Sequence, residues 1–199
     1  MEPFLRVGMY GKIALRTVQR SKLFMEKQKV LDRIKSSMMV LVGIGTEISE
    51  KHHTREELLA FYQEIAGAVK GKFYFVVTLN TDDLIYEAGF DPSLIVAPCG
   101  SDRTGNGITN GHYDESGYLP QWKAYQTWLG NTLNRELVIL ELGVGFEYPS
   151  VLRFPDEKMA FFNQKSTLVR IHSEFPQIPK EIRERSLSVT ADPVDFWSK

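Results

Sequence analysis

Short apolar runs separated by amphipathic stretches set the rhythm of this chain. The runs are residues 38–42 (MMVLV), 73–77 (FYFVV), 94–97 (LIVA), 137–142 (LVILEL), 167–171 (TLVRI) and 187–190 (LSVT). Each is too short for a core helix and rich in β-branched or aromatic residues, which predicts strands. LVILEL is almost unbroken, as a strand covered on both faces would be. Between the first two runs, Thr54 and Glu57 have the spacing of a capping box, Leu58, Phe61, Ile65 and Val69 form one apolar face, and Gly71 supplies a stop. That predicts a helix crossing over between two parallel strands, and such a crossover is right-handed. Further helices are predicted over residues 19–36 (Phe24, Leu31, Ile34 and Met38 on one face), 83–88, 121–133 (Trp122, Tyr125, Leu129, Leu133), 156–163 and 180–185. Gly8 and Gly11 argue against a strong helix before residue 20. The alternation predicts an α/β fold: a single three-layer Rossmann-type domain over residues 1–199, with a roughly six-stranded parallel sheet and residues 1–36 as a helical lead-in.

Composition changes this picture little. At 199 residues, 43% hydrophobic and 25% charged, the chain is ordinary for a globular domain with a real core. A net charge of −1 points to neither nucleic acid nor an anionic membrane. The single cysteine excludes an internal disulfide and an all-cysteine zinc site. No secretory leader heads the chain and no apolar run approaches the ~18 residues of a membrane span, so a cytoplasmic location is expected.

Chemistry gathers where the runs end. The first enters Gly43-Ile44-Gly45-Thr46, a turn in which backbone would approach a diphosphate. The second ends in Thr78-Leu79-Asn80-Thr81-Asp82, and the third in Pro98-Cys99-Gly100-Ser101. The fourth ends in Gly143-Val144-Gly145 and the fifth in His172. In open α/β sheets the carboxyl ends of the strands are where ligands bind. Bland readings stand beside these. Gly-x-Gly pairs are often only tight turns. His52 and His53 are adjacent, diverge on any regular element, and read as surface residues. Trp122, Tyr125 and Trp128 are spaced for core packing rather than for stacking on a base. The basic residues of 22–35 read as a solvated helix face. Residues 101–120 carry Gly105, Gly107, Gly111 and Gly117 with Asn106 and Asn110, and read as a long loop.

The order of these strand ends resembles the sirtuins. That family carries Gly-Ala-Gly-x-Ser after its first strand, where this chain has Gly43-Ile44-Gly45. It carries Thr-Gln-Asn-Ile-Asp where Thr78-Leu79-Asn80-Thr81-Asp82 stands, and His-Gly-Ser where Cys99-Gly100-Ser101 stands. Gly-Thr-Ser corresponds to Gly143-Val144-Gly145, and a strand ending in Ile-Asn to Ile171-His172. The resemblance covers most of residues 38–197. The family's Gly-Ile-Pro-x-Phe-Arg segment is replaced by Glu50-Lys51-His52-His53. Its four-cysteine zinc module is lost or reduced to the loop 101–120. A second resemblance, of Leu-Glu-Leu-Gly-x-Gly to the first motif of methyltransferases, fails because too little chain follows for the later strands of that fold.

The sirtuin resemblance implies NAD as cofactor and NAD or ADP-ribose as ligand. The implied binding residues are Gly43, Gly45, Thr46, Thr78, Asn80, Asp82, Gly100, Ser101, Gly143, Val144, Gly145 and His172. The implied catalytic candidates are Asn80, Asp82 and Cys99, with no metal. Phosphate contact at Gly143-Val144-Gly145 would be through backbone N–H groups, because the family's hydroxyls are absent. His172 would donate and accept at a ribose hydroxyl. Three functions compete: cleavage of the nicotinamide–ribose bond by hydrolysis or ADP-ribose transfer, deacylation of protein lysines, and NAD or ADP-ribose binding without catalysis. Deacylation needs a base where Cys99 stands, and a thiol with a reference pKa of about 8.5 is a poor one.

Overall fold

The computed structural model describes residues 4–108 and 112–198, with side chains described from residue 18 onward apart from Gln19. Six strands form one all-parallel sheet: β1 (Met39–Ile44), β2 (Phe73–Thr78), β3 (Ile95–Val96), β4 (Leu137–Leu142), β5 (Ser166–His172) and β6 (Leu187–Thr190). Their spatial order is β3-β2-β1-β4-β5-β6. The chain winds outward from β1 to β3, returns to the middle, and winds the other way. β1 and β4 are therefore neighbours whose connections leave in opposite directions, and a crevice opens at their carboxyl ends.

The strands alternate their side chains between two apolar layers. Val40, Val42, Ile44, Val76, Leu140 and Leu142 pack under α1 (Phe4–Ser36), α2 (Arg55–Val69) and α5 (Pro193–Ser198). Met39, Leu41, Phe75, Val77, Leu137 and Ile139 pack under α3 (Leu119–Gly130) and α4 (Arg153–Phe162). Trp122, Tyr125 and Trp128 join Phe75 in this second layer, as their helical spacing predicts. The capping box of α2 is formed: Thr54 accepts from the Glu57 N–H at 3.2 Å, and Glu57 accepts from the Thr54 N–H at 2.9 Å.

Several expectations are corrected. The first helix begins at Phe4 and runs through Gly8 and Gly11, since a glycine costs a helix about 1 kcal/mol without forbidding it. Among its described side chains Val30 and Ile34 are buried, while Phe24, and Met38 just beyond the helix, are exposed. The segment 83–88 is one 3₁₀ turn, Leu84–Glu87, and the third strand is only two residues long. Residues 180–185 form 3₁₀ rather than α-helix. α5 was not anticipated: its six residues are too few to show a period. Among its described residues the loop over 101–120 holds one 3₁₀ turn, Glu115–Gly117, and gives way to α3 at Leu119; Asn110 and Gly111 lie outside the described residues.

The strongest polar feature lies inside the sheet. Glu141 of β4 faces Arg170 of β5 in register, and both side chains are 0% exposed. Arg170 grips Glu141 with Nε and Nη2, and its Nη1 reaches Glu157 of α4 at 2.8 Å and the Gln177 carbonyl at 2.5 Å. Asp156 of α4 is fully buried beside this pair, and neither of its oxygens has a donor. Burial first, and Glu141 second, hold its carboxyl well above the ordinary range. Protonation of this carboxyl would remove its repulsion with Glu141. Removing one partner of a buried pair strands the other charge, at a cost of about 3–5 kcal/mol. Arg170→Met should therefore destabilise the fold by about that much in urea melts. The pair Arg170→Met with Glu141→Leu should recover most of the loss. A double variant no more stable than Arg170→Met would show that the pair itself, not the stranded carboxylate, is what matters.

Candidate functional site

Gly45 and Gly143 bring the ends of β1 and β4 into backbone contact. The Gly45 N–H donates to the Leu142 carbonyl at 2.8 Å. A Cβ on Gly45 would lie 1.9 Å from the Gly143 carbonyl oxygen, so no other residue fits. Gly143 itself sits at φ +66°, in the left-handed region, and a Cβ there would press on Glu47 at 2.9 Å. The two glycines make a ridge across the crevice, with a cleft on each side.

Along this ridge the backbone is under-used. The N–H groups of Thr46, Gly145, Phe146 and Glu147 have no hydrogen-bond acceptor among the described residues. α2 does not complete an anion site: its cap takes the Glu57 N–H, and Glu56 and Glu57 put negative charge in its first turn.

The first cleft, about 570 Å³, lies toward β2 and is lined by Thr46, Asn80, Asp82, Asp102 and Glu147, among others. The Asn80 Nδ2 donates to the Ile48 carbonyl at 2.8 Å and to the Tyr62 hydroxyl at 3.0 Å. Both amide hydrogens are committed, so only Oδ1 is left to meet a ligand. Asp82 accepts the Leu84 N–H at 3.0 Å through one oxygen. Burial, with Glu50, Asp83 and Asp102 nearby, raises its carboxyl above the usual range. Lys51 is the only lysine or arginine lining this cleft.

The second cleft, about 640 Å³, lies toward β5 and shares Thr46 and Glu147 with the first. His172 lines it and is nearly buried. Its Nδ1 accepts the N–H groups of Glu174 and Phe175 at 3.0 and 3.1 Å, which places the ring proton on Nε2. Glu47 lies 3.3 Å from the same Nδ1, a geometry that would be an ion pair only if the ring were charged. Burial, with Arg153 and Arg170 nearby, pushes His172 down to about 4, so the ring is neutral and Glu47 instead takes the Ser173 N–H at 3.1 Å. His172 can therefore donate to a ligand through Nε2 but not accept from one through Nδ1, which narrows the dual role expected of it. Glu47, Glu147, Glu174 and Asp192 make this cleft acidic. His53, expected at the surface, is 11% exposed at its side chain and bonded to Asp192 at 3.0 Å.

The remaining candidates separate. Thr46 and Gly145 line the clefts, and Gly143 and Gly45 form the ridge. Gly43 lies within β1, one row below the tip, facing Leu152 and Asp156. The strand runs two residues further than its apolar run predicts, so Gly43 is not a tip residue. Val144 and Thr78 are buried: Val144 packs in the α3–α4 layer, and Thr78 uses its hydroxyl to accept the Asn80 N–H at 3.1 Å. Gly100 and Ser101 belong to a different cavity, about 250 Å³, at the outer edge of β3. There Ser101 is held by Asp83 and Asn106, and a Cβ on Gly100 would strike the Asn106 carbonyl.

Cys99 lines neither cleft. It is 3% exposed and packs with Val96 and Tyr125 in the α3–α4 layer. Burial and the Glu147 carboxylate push its thiol up to about 11. A thiol so placed is a poor base at neutral pH. Two features of the site were missed in the sequence: Tyr62, which anchors Asn80 from α2, and Arg153, which donates to the carbonyls of Val144, Phe175 and Gln177 and so ties the loops after β4 and β5 together. Neither has a local signal; both act at long range in sequence.

No family model matches the chain. A protein ADP-ribosyltransferase of Staphylococcus aureus (strain Mu50) is 23% identical over 82 residues, 41% of this chain. That match spans about a quarter (26%) of the curated relative's length. Among solved structures, a Sir2 variant with a deacetylated p53 peptide and 3′-O-acetyl ADP-ribose aligns at a TM-score of 0.54 and 14% identity, covering 86% of this chain and 95% of that one. Sir2Af2 bound to a myristoylated histone peptide aligns at 0.52 and 14%, covering 87% and 93%. The fold is sirtuin-like.

The Cys99 geometry sets an expectation. In native protein at pH 7.5 the thiol should resist alkylation by iodoacetamide, reacting at least about 100-fold more slowly than after denaturation in guanidinium. Rapid labelling of folded protein, followed by mass spectrometry, would return Cys99 to the list of reactive groups.

Proposed function

We propose that this protein binds NAD or ADP-ribose across the β1–β4 ridge and cleaves the bond between nicotinamide and ribose, by hydrolysis or by ADP-ribose transfer. The observation that carries the reading is the row of unsatisfied N–H groups at Thr46, Gly145, Phe146 and Glu147, between two clefts at the switch point of a sirtuin-like sheet. Backbone donors at such a point suit a diphosphate, the charge that joins the two halves of a dinucleotide. The cleft toward β2 would take the nicotinamide riboside half, and the cleft toward β5 the adenosine half, where His172 Nε2–H meets a ribose hydroxyl.

Asp82 and Asn80 carry the chemistry in this reading. As the ribose–nitrogen bond breaks, its electron pair leaves with nicotinamide, and positive charge develops on the sugar. The Asp82 carboxylate, poorly solvated, stabilises that charge more strongly than it would in water. Asn80 Oδ1, fixed by the two bonds of its amide nitrogen, accepts a hydrogen bond from the attacking water or from a ribose hydroxyl. The attacking oxygen gives its proton to solvent or to Asp82. Deacylation is disfavoured in this reading, because the thiol of Cys99 is buried and pushed up to about 11. A second reading is favoured by the commitment of both Asn80 amide hydrogens to Ile48 and Tyr62: a module that holds the nucleotide without cleaving it.

The test is incubation with NAD, with mass spectrometry for free nicotinamide and ADP-ribose, beside calorimetry with each ligand. Nicotinamide should appear, and Asp82→Asn should slow its release about 100-fold or more, the size of a lost electrostatic contact, while ADP-ribose binding changes little. Binding without cleavage would select the module. Folded protein that binds neither ligand at millimolar concentration would end both readings.

A further inference from the structure

The side chains of Phe146 and Phe175 take no part in the chemistry above, yet both residues line the β5-side cleft. Phe146 is 52% exposed and Phe175 is 37% exposed. Exposed aromatics with no role tend to be loosely held, and these are not. The two rings meet edge to face, with centroids 5.4 Å apart and planes at 82°. Phe175 in turn meets the His172 ring at 5.1 Å.

Beneath Phe146 lies Arg153, whose guanidinium sits 4.2 Å from the ring centroid. Arg153 is itself 3% exposed, and its bonds to the carbonyls of Val144 and Phe175 fix its plane. The buried cation covers the inner face of the ring, which leaves the exposure of Phe146 to its outer face and edge. The result is a flat apolar surface of fixed orientation, backed by a cation, next to unsatisfied backbone donors and to a histidine N–H. Gly145 keeps the approach open: a Cβ there would lie 3.1 Å from His172 Nε2 and would crowd the donor that a sugar would use.

We infer that the outer face of Phe146, bordered by Phe175, is the stacking platform for the nucleobase of the bound nucleotide. This contact makes the cleft select ligands that carry a base over sugar phosphates alone. The inference rests on the nucleotide reading above and goes further by assigning base recognition to Phe146. Its physical basis is general: every nucleobase has a π-face, and an aromatic side chain held in place loses little entropy when a base settles on it.

Calorimetry with ADP-ribose separates this inference from the reading beneath it. Phe146→Ala should remain folded, since the ring is half exposed, with a modest drop in melting temperature from the lost Arg153 and Phe175 contacts, and should bind ADP-ribose about 5- to 100-fold more weakly. Phe146→Trp should restore binding. Saturating wild-type protein should lower the 260 nm absorbance of ADP-ribose through stacking, and saturated Phe146→Ala should not. If wild-type protein binds ADP-ribose and Phe146→Ala binds it equally well, or keeps the absorbance change, the platform is refuted while nucleotide binding stands. If wild-type protein binds no ADP-ribose, the nucleotide reading falls, and the platform with it.

Discussion

The Glu141–Arg170 pair is the constraint on which the working end of the molecule depends. It joins the fourth and fifth strands through side chains with no access to water. Such a pair adds little net stability, because desolvation of both ions offsets their attraction. What it does is geometric. Arg170 reaches on to Gln177, and its neighbour Arg153 reaches to Val144, Phe175 and Gln177, so the carbonyls of both strand-end loops are tied to one buried cationic cluster. The cluster holds two arginines against Glu141 and Glu157, beside a buried Asp156 whose carboxyl is held well above the ordinary range. Its effects reach the surface of the cleft: the positive charge helps to keep His172 neutral, and Arg153 sets the plane of Phe146.

Above that base, the crevice follows from strand order. Reversal of winding between β1 and β4 leaves their ends uncovered, and two glycines let the backbones touch there. Beside that contact, the N–H groups of Thr46, Gly145, Phe146 and Glu147 have no acceptor among the described residues. Those donors stand in acidic surroundings, with Glu47, Glu147 and Asp82 nearby and Lys51 the only lysine or arginine lining either cleft. In the proposed function, an anion would be recognised here by short, directed backbone bonds rather than by net charge, which favours one geometry over general attraction.

Asn80 and Cys99 show how far local sequence could be read. Asn80 lies at the tip of a strand whose apolar run is unmistakable, and it lines the cleft as its position implies. Cys99 follows another apolar run by the same logic and points the other way, into the α3–α4 layer. The difference arises because β3 is only two residues long, and the chain turns through Gly100 at φ +82° to bond back to the loop ahead of it. A one-residue change in where a strand stops reverses which face a side chain takes, and the end of a short run does not encode that stop. Gly43 fails for the same reason, since β1 continues past its apolar run.

What the sequence determined by itself was the class and order of the elements. Apolar period, strand length and capping are local, and they were enough to predict a parallel α/β sheet with polar groups gathered at the strand ends. The helix through Gly8 and Gly11, the short α5 and the strand stops escaped that reading, because each depends on contacts or on marginal propensities. Only the tertiary structure decided which strand-end groups share a cleft. Tyr62 meets Asn80, Arg153 meets Phe146, and Arg170 meets Glu141 across separations that no spacing rule spans. Whether a carboxyl, imidazole or thiol is charged depends on the burial created by those meetings, so the chemistry of the site was settled by packing.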